Sequence, residues 1–252
     1  MMLIQILILT ILGSVLSLFG GLLLLLKKTW NQSFSLKLTS FAAGVLLATA
    51  FLDLLPEALE HLTESGGNVF LPVLIGIVVF FLLERTLLWF HHHHNAHGIK
   101  PTVWMVTLGD GLHNFIDGVA IAAAYIINPG IGLTTALAVA AHEIPQEIAD
   151  FSVLITQKLS KRKAILFNIA SALMAVFGSV GMYFFADALK VHLGTIIAFT
   201  AGMFSYIALS DLIPELHHSD SKKESIPQSA AFVMGIGLVM LVKFFIGGGT
   251  LR

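Results

Sequence analysis

The chain has 252 residues, 56% of them hydrophobic and 12% charged, with a net charge of −1 and a mean hydropathy of +0.88. Soluble domains carry about 25% charged residues and disordered chains are poor in apolar ones, so both classes are excluded and an integral membrane protein remains. A charge so close to zero gives no reason to expect nucleic acid as a partner, and with no cysteine any metal must be held by His, Asp, Glu, Asn or Gln.

Apolar stretches fall at about residues 2–26, 36–58, 69–90, 102–127, 131–156, 164–186, 193–215 and 229–250, each near the ~20 residues that a membrane helix requires. The expected fold class is therefore all-α, a polytopic membrane protein of eight transmembrane helices in a single domain over residues 1–252. Continuous runs such as Leu22 to Leu26 and Val78 to Leu83 do not alternate as barrel strands do. The first stretch lacks a basic start and reads as a retained span, not a cleaved signal. Lys27, Lys28, Lys37, Arg85, Lys100, Lys158, Lys161, Arg162, Lys163, Lys222 and Lys223 fall on alternate connections, whereas Lys190, Lys243 and Arg252 fall on the others. Positively charged loops stay in the cytoplasm, so both termini are expected outside, and the connection carrying Glu57, Glu60, His61 and Glu64 becomes an acidic outer vestibule.

In chain order, the second stretch carries Phe41-Ala42-Ala43-Gly44 and then Asp53-Leu54-Leu55-Pro56-Glu57. The seventh carries Phe199-Thr200-Ala201-Gly202 and then Asp211-Leu212-Ile213-Pro214-Glu215, 158 residues later. With the two stretches running in opposite directions this is an inverted repeat, a signature of secondary transporters. The alternative is two apolar helices that share small residues by chance. Asp53 and Glu57 at one end, and Glu215, His217 and His218 at the other, either guide a cation or are hydrated acids at helix ends. Between the third and fourth stretches, His91, His92, His93, His94 and His97 make a His-rich cytoplasmic loop over residues 91–100, which either handles metal ions or is solvated low-complexity sequence.

The fourth stretch contains Asp110, His113, Asn114 and Asp117, spaced three and four apart and so on one helical face. In the fifth, His142 pairs with Gln146, and Glu143 with Glu147 and Asp150, by the same rule. The short Asn128-Pro129-Gly130 connection makes the two helices neighbours and brings these faces to similar depth. An acid at the centre of a membrane helix costs about 2.5–3.5 kcal/mol, and neither helix core holds a Lys or Arg to offset it. A bound divalent cation or protons must do so, and imidazole with carboxylate and amide oxygens suits Zn²⁺, Fe²⁺, Mn²⁺ or Cd²⁺. Pro145 removes one helical hydrogen bond beside these groups. The alternative is a buried polar network that only joins the two helices. Asn168 and Ser171 in the sixth stretch add either a ligand or a helix–helix hydrogen bond.

Gly109-Asp110-Gly111-Leu112-His113-Asn114-Phe115-Ile116-Asp117-Gly118 and His142-Glu143-Ile144-Pro145-Gln146-Glu147, followed by Ala149-Asp150-Phe151, resemble the signature helices of the ZIP metal transporters, in particular the branch with the HEIPHE motif. The resemblance implies a transporter in the cell membrane, an elevator-like homodimer that takes up a divalent metal, Zn²⁺ foremost, with no cofactor and no enzymatic step. It also implies a first metal site at His113, Asp117, His142 and Gln146 and a second at Asn114, Asp117, Glu143 and Gln146. Gln146 departs from the branch pattern, which has His there. Glu147 is a substitute ligand, although it lies about 100° around the helix from Gln146. The competing class is an intramembrane zinc metalloprotease, because His142-Glu143 begins like His-Glu-x-x-His, but Gln146 stands in place of the second His.

Overall fold

The structure, a computed structural model, describes residues 1–15, 17–18, 32–64, 67–90, 101–217 and 222–246. Lys27, Lys28, the His-rich stretch 91–100, His218 and Arg252 lie outside the described residues. Among the described residues all regular structure is helical. Helix α1 spans Met2–Thr10 and continues into a π-helical turn, Ile11–Val15. Helix α2, Gln32–Ala48, passes through a π-helical segment, Thr49–Leu54, into α3, Leu55–Glu64. Helices α4, Phe70–Phe90, α5, Pro101–Ile127, α6, Pro129–Thr156, and α7, Lys161–Leu189, follow. Helix α8, Leu193–Tyr206, runs through a second π-helical segment, Ile207–Leu212, into α9, Ile213–His217, and α10 covers Lys222–Ile246.

Among the described residues three helical stretches, Ser33–Thr63, Lys161–Leu216 and Glu224–Phe245, are long and apolar enough to cross a membrane. Apolar side chains face outward as well as inward, as in a helix surrounded by lipid. On α4, Phe70, Leu74, Val78 and Phe81 are exposed while Phe80 is buried. The interior is built largely from small residues, including Ala42, Ala43, Ala122, Ala123, Ala124, Ala138, Ala198 and Ala201, which let helix backbones approach closely.

The two copies of the repeated sequence fold alike locally. The π-helical segments Thr49–Leu54 and Ile207–Leu212 hold corresponding residues, and each precedes the turn that carries Pro and Glu. A Cβ added at Gly44 would collide with the Phe232 carbonyl on α10, and one at Gly202 with the Val73 carbonyl on α4. Only glycine permits either contact.

Between α5 and α6 the connection is Asn128 alone. Its side chain accepts a hydrogen bond from the Gly130 backbone N–H at 2.8 Å, and Pro129 begins the new helix, the arrangement that favours Asn as N-cap and Pro at the first helical position. This cap fixes the register in which α5 and α6 lie side by side, and that register assembles the polar centre.

Candidate metal centre

Asp110, His113, Asn114 and Asp117 project from α5, and His142, Glu143, Gln146 and Glu147 from α6. All eight have three- or four-residue spacing to another member on their own helix, and all are buried except His113 and Gln146, which are partly so. Their centre is a group of four: His113, Asp117, His142 and Glu143 each offer one ligand atom, all within 4.8 Å of one another. The two imidazole Nε2 atoms are 3.1 Å apart. His113 Nε2 is 3.6 Å from both Asp117 Oδ2 and Glu143 Oε1. His142 Nε2 is 3.3 Å from Asp117 Oδ2 and 3.7 Å from Glu143 Oε1. A tetrahedral zinc site with ligands at about 2.0–2.1 Å has ligand–ligand edges of about 3.3 Å, within the span of these separations.

Two supports orient the ligands. His142 Nδ1 lies 2.8 Å from the Ala138 carbonyl oxygen, an acceptor that places the proton on Nδ1 and leaves the Nε2 lone pair facing the cluster. The rings of Phe80 on α4 and Phe204 on α8 pack edge-on against His113 and His142, with centroids 5.6 Å and 5.8 Å away. Both carboxylate oxygens of Asp117, Glu143 and Glu147 are buried without a hydrogen-bond partner. Buried acids are ordinarily paired or metal-bound, and no lysine or arginine pairs with these three among the described residues.

Of the residues expected in the first site, His113, Asp117 and His142 come together, with Glu143 beside them, and the partly buried Gln146 donates from its amide Nε2 to Asp110 Oδ1 at 3.3 Å. Asn114, expected in the second site, donates from Nδ2 to Asp110 Oδ1 at 3.1 Å and to the Asp110 carbonyl at 3.2 Å. Its Oδ1 lies 3.1 Å from the Ser14 hydroxyl, which also lies 2.9 Å from the Ala172 carbonyl and shares its one proton between them. Asp110, which the sequence placed on the shared face without a ligand role, instead joins Glu143 and Glu147 in a second close group. Ser171 donates back to the carbonyls of Phe167 and Asn168 within α7. A cavity of about 530 Å³ opens beside the centre, lined by Asp110, His113, Gln146 and Asp150 and, farther out, by Glu84, Asp211 and Glu215.

The family model described as "ZIP Zinc transporter" matches residues 2–102 and 91–243. The chain is 41% identical over 162 residues to "Zinc transporter ZIP10" of Danio rerio, covering 59% of this chain and 18% of that protein. It is 38% identical over 156 residues to "Zinc transporter ZIP6" of Homo sapiens, covering 59% of this chain and 20% of that one. With "Metal cation symporter ZIP14" of Xenopus tropicalis it shares 35% over 159 residues, 59% of this chain and 34% of the relative. The matched stretch thus spans about a fifth of the first two relatives and a third of the other.

Proposed function

The chain belongs to the ZIP zinc transporter family, and from that premise we propose that it carries Zn²⁺ across a membrane toward the cytosol through the centre between α5 and α6. The observation that carries this reading is the four-residue cluster of His113, Asp117, His142 and Glu143, whose edges suit a tetrahedral ion and whose acids lack any other counter-charge. A zinc ion sheds water for these groups and leaves when the centre opens to the acidic cavity. Asn114, Gln146 and Glu147 stand around it. Cd²⁺, Fe²⁺ and Mn²⁺ are the other cargoes the donor set admits.

Eight spans with both termini outside, the His-rich loop of residues 91–100 in the cytoplasm, and an inverted relation between the second and seventh spans complete the reading. It is supported by the matching π-helical segments and the paired glycine contacts at Gly44 and Gly202. A homodimer in the cell membrane rests on the family resemblance. The relatives above are named as transporters, and the metalloprotease alternative draws no support from them. Zinc flux into proteoliposomes tests the proposal: His113→Ala and Asp117→Ala abolish uptake while leaving reconstitution intact, and normal uptake by both overturns it.

A further inference from the structure

We propose that the cavity between α2, α9 and α10 is a lipid site, which takes one phospholipid with its phosphate at Gln228 and an acyl chain beside Phe232 and Val233. This cavity stands apart from the metal centre between α5 and α6, and its lipid binds whichever ion the centre carries.

The cavity has a volume of about 610 Å³, within the ~300–1,000 Å³ typical of ligand pockets. Gln228 lines it and carries the sign of a missing partner. The residue is 6% exposed, and its side-chain Nε2 is buried without a hydrogen-bond partner among the described residues. An amide nitrogen offers N–H donors only, so the missing group is an acceptor. Leaving such a donor dry costs about 1–3 kcal/mol. The Ser40 hydroxyl on α2 donates to the Gln228 carbonyl at 2.6 Å, which ties α2 to α10 and holds this residue at the cavity wall.

The rest of the lining selects the kind of acceptor. On α10, Ser225, Gln228, Ser229, Phe232 and Val233 all line the cavity, spaced three and four apart and so on one face. Within about two turns that face passes from hydroxyls and an amide to an aromatic ring and a branched apolar side chain. Ser40 meets Gln228 and Gly44 meets Phe232, so α2 and α10 run parallel. Lys222 and Lys223 begin α10, and Lys37 precedes Ser40 by three residues on α2. The polar half of the cavity therefore lies toward the basic ends of both helices, which sit at headgroup level in a membrane. A phospholipid has the same order along its length, with phosphate and ester oxygens first and hydrocarbon after. Val233 is 63% exposed, so the mouth opens sideways and admits a lipid from the bilayer. A free phosphate would engage the amide and leave the apolar half of the cavity empty.

Ile213 and Leu216 of α9 close the cavity. Asp211 and Glu215, their close neighbours in sequence, line the cavity beside the metal centre. A lipid seated here props the short segment that separates the two cavities.

Native mass spectrometry of the purified full chain, titrated with phosphatidylglycerol and separately with diacylglycerol of the same acyl chains, tests the site. One phosphatidylglycerol binds at least fivefold more tightly than one diacylglycerol. Gln228→Leu keeps the bulk and removes the donor; it weakens phosphatidylglycerol at least fivefold and leaves diacylglycerol unchanged. Val233→Trp fills the exposed mouth and weakens both lipids, and it carries the result if Gln228→Leu is not monodisperse. Phosphatidylglycerol affinity within twofold of wild type in either variant overturns the inference. Displacement of the lipid by glycerol 3-phosphate overturns it in favour of a free phosphate. A shift from dimer to monomer in Val233→Trp, with lipid binding unchanged, gives the face to a second copy of the chain instead.

Discussion

The sequence Asp-Leu-x-Pro-Glu occurs at both ends of the proposed pathway, and the structure gives the two copies opposite fates. Asp53, at the proposed outer end, is buried at 4% exposure with Lys243 Nζ 3.3 Å from its Oδ1, and the same ammonium donates to the Leu52 carbonyl. Asp211, its counterpart, is exposed and lines the 530 Å³ cavity with Glu84 and Glu215. The backbones that present these partners match. Gly235 packs on the Phe41 carbonyl eight residues before Lys243, and Gly76 packs on the Phe199 carbonyl eight residues before Glu84. One register therefore delivers a cation to one acid and a second acid to the other. The scaffold sets where the acids stand, and a single side chain on the facing helix sets whether the acid at that end meets a cation or a second acid.

Removing Lys243 breaks this contrast most strongly. Breaking a buried ion pair leaves an uncompensated charge at a cost of about 3–5 kcal/mol, so Lys243→Met is expected to lower the melting temperature in detergent sharply. Adding Asp53→Asn to it restores much of the loss, a coupling that a double-mutant cycle measures. Gly44→Val and Gly202→Val press side chains into facing backbone, and each is expected to cost at least the ~1–3 kcal/mol of an overpacked core. Equal melting losses in the two would sharpen the equivalence of the scaffolds, and a loss in only one would break it. Tyr206→Phe removes the hydroxyl that donates to Glu84 and is expected to cost about 1 kcal/mol. Asp211→Asn, at an exposed site, changes stability by less than about 0.5 kcal/mol; a melting loss as large as that of Lys243→Met would remove the difference between the two ends.

Much of the centre was legible in the sequence because its ligands sit on two neighbouring helices at three- and four-residue spacing. Asp110, His113, Asn114 and Asp117 share one face by arithmetic alone, and the Asn128-Pro129 cap announces the junction that aligns the helices. Which of these groups touch was not legible. Helical spacing paired His142 with Gln146, but His113 approaches from α5 on the side where Glu143 also reaches, a consequence of how the two helices roll against each other. Ser14 meets Asn114 across 100 residues of chain, and no local pattern signals that contact. The π-helical segments at Thr49–Leu54 and Ile207–Leu212 are equally hidden, since a single extra residue per turn barely disturbs an apolar run. By sequence Lys243 serves only as a marker of topology, and its pairing with Asp53 follows from the packing of α10 on α2.

In the proposed transport path, the buried His and carboxylate cluster between α5 and α6 holds the transported ion. X-ray absorption at the zinc edge, on purified chain loaded with one equivalent of Zn²⁺, tests it most directly. The expected spectrum shows a nitrogen and oxygen shell at about 2.0–2.1 Å with outer-shell scattering from two imidazoles, reduced to one imidazole in His113→Ala or His142→Ala. A spectrum without imidazole scattering, or one unchanged in both variants, would contradict it.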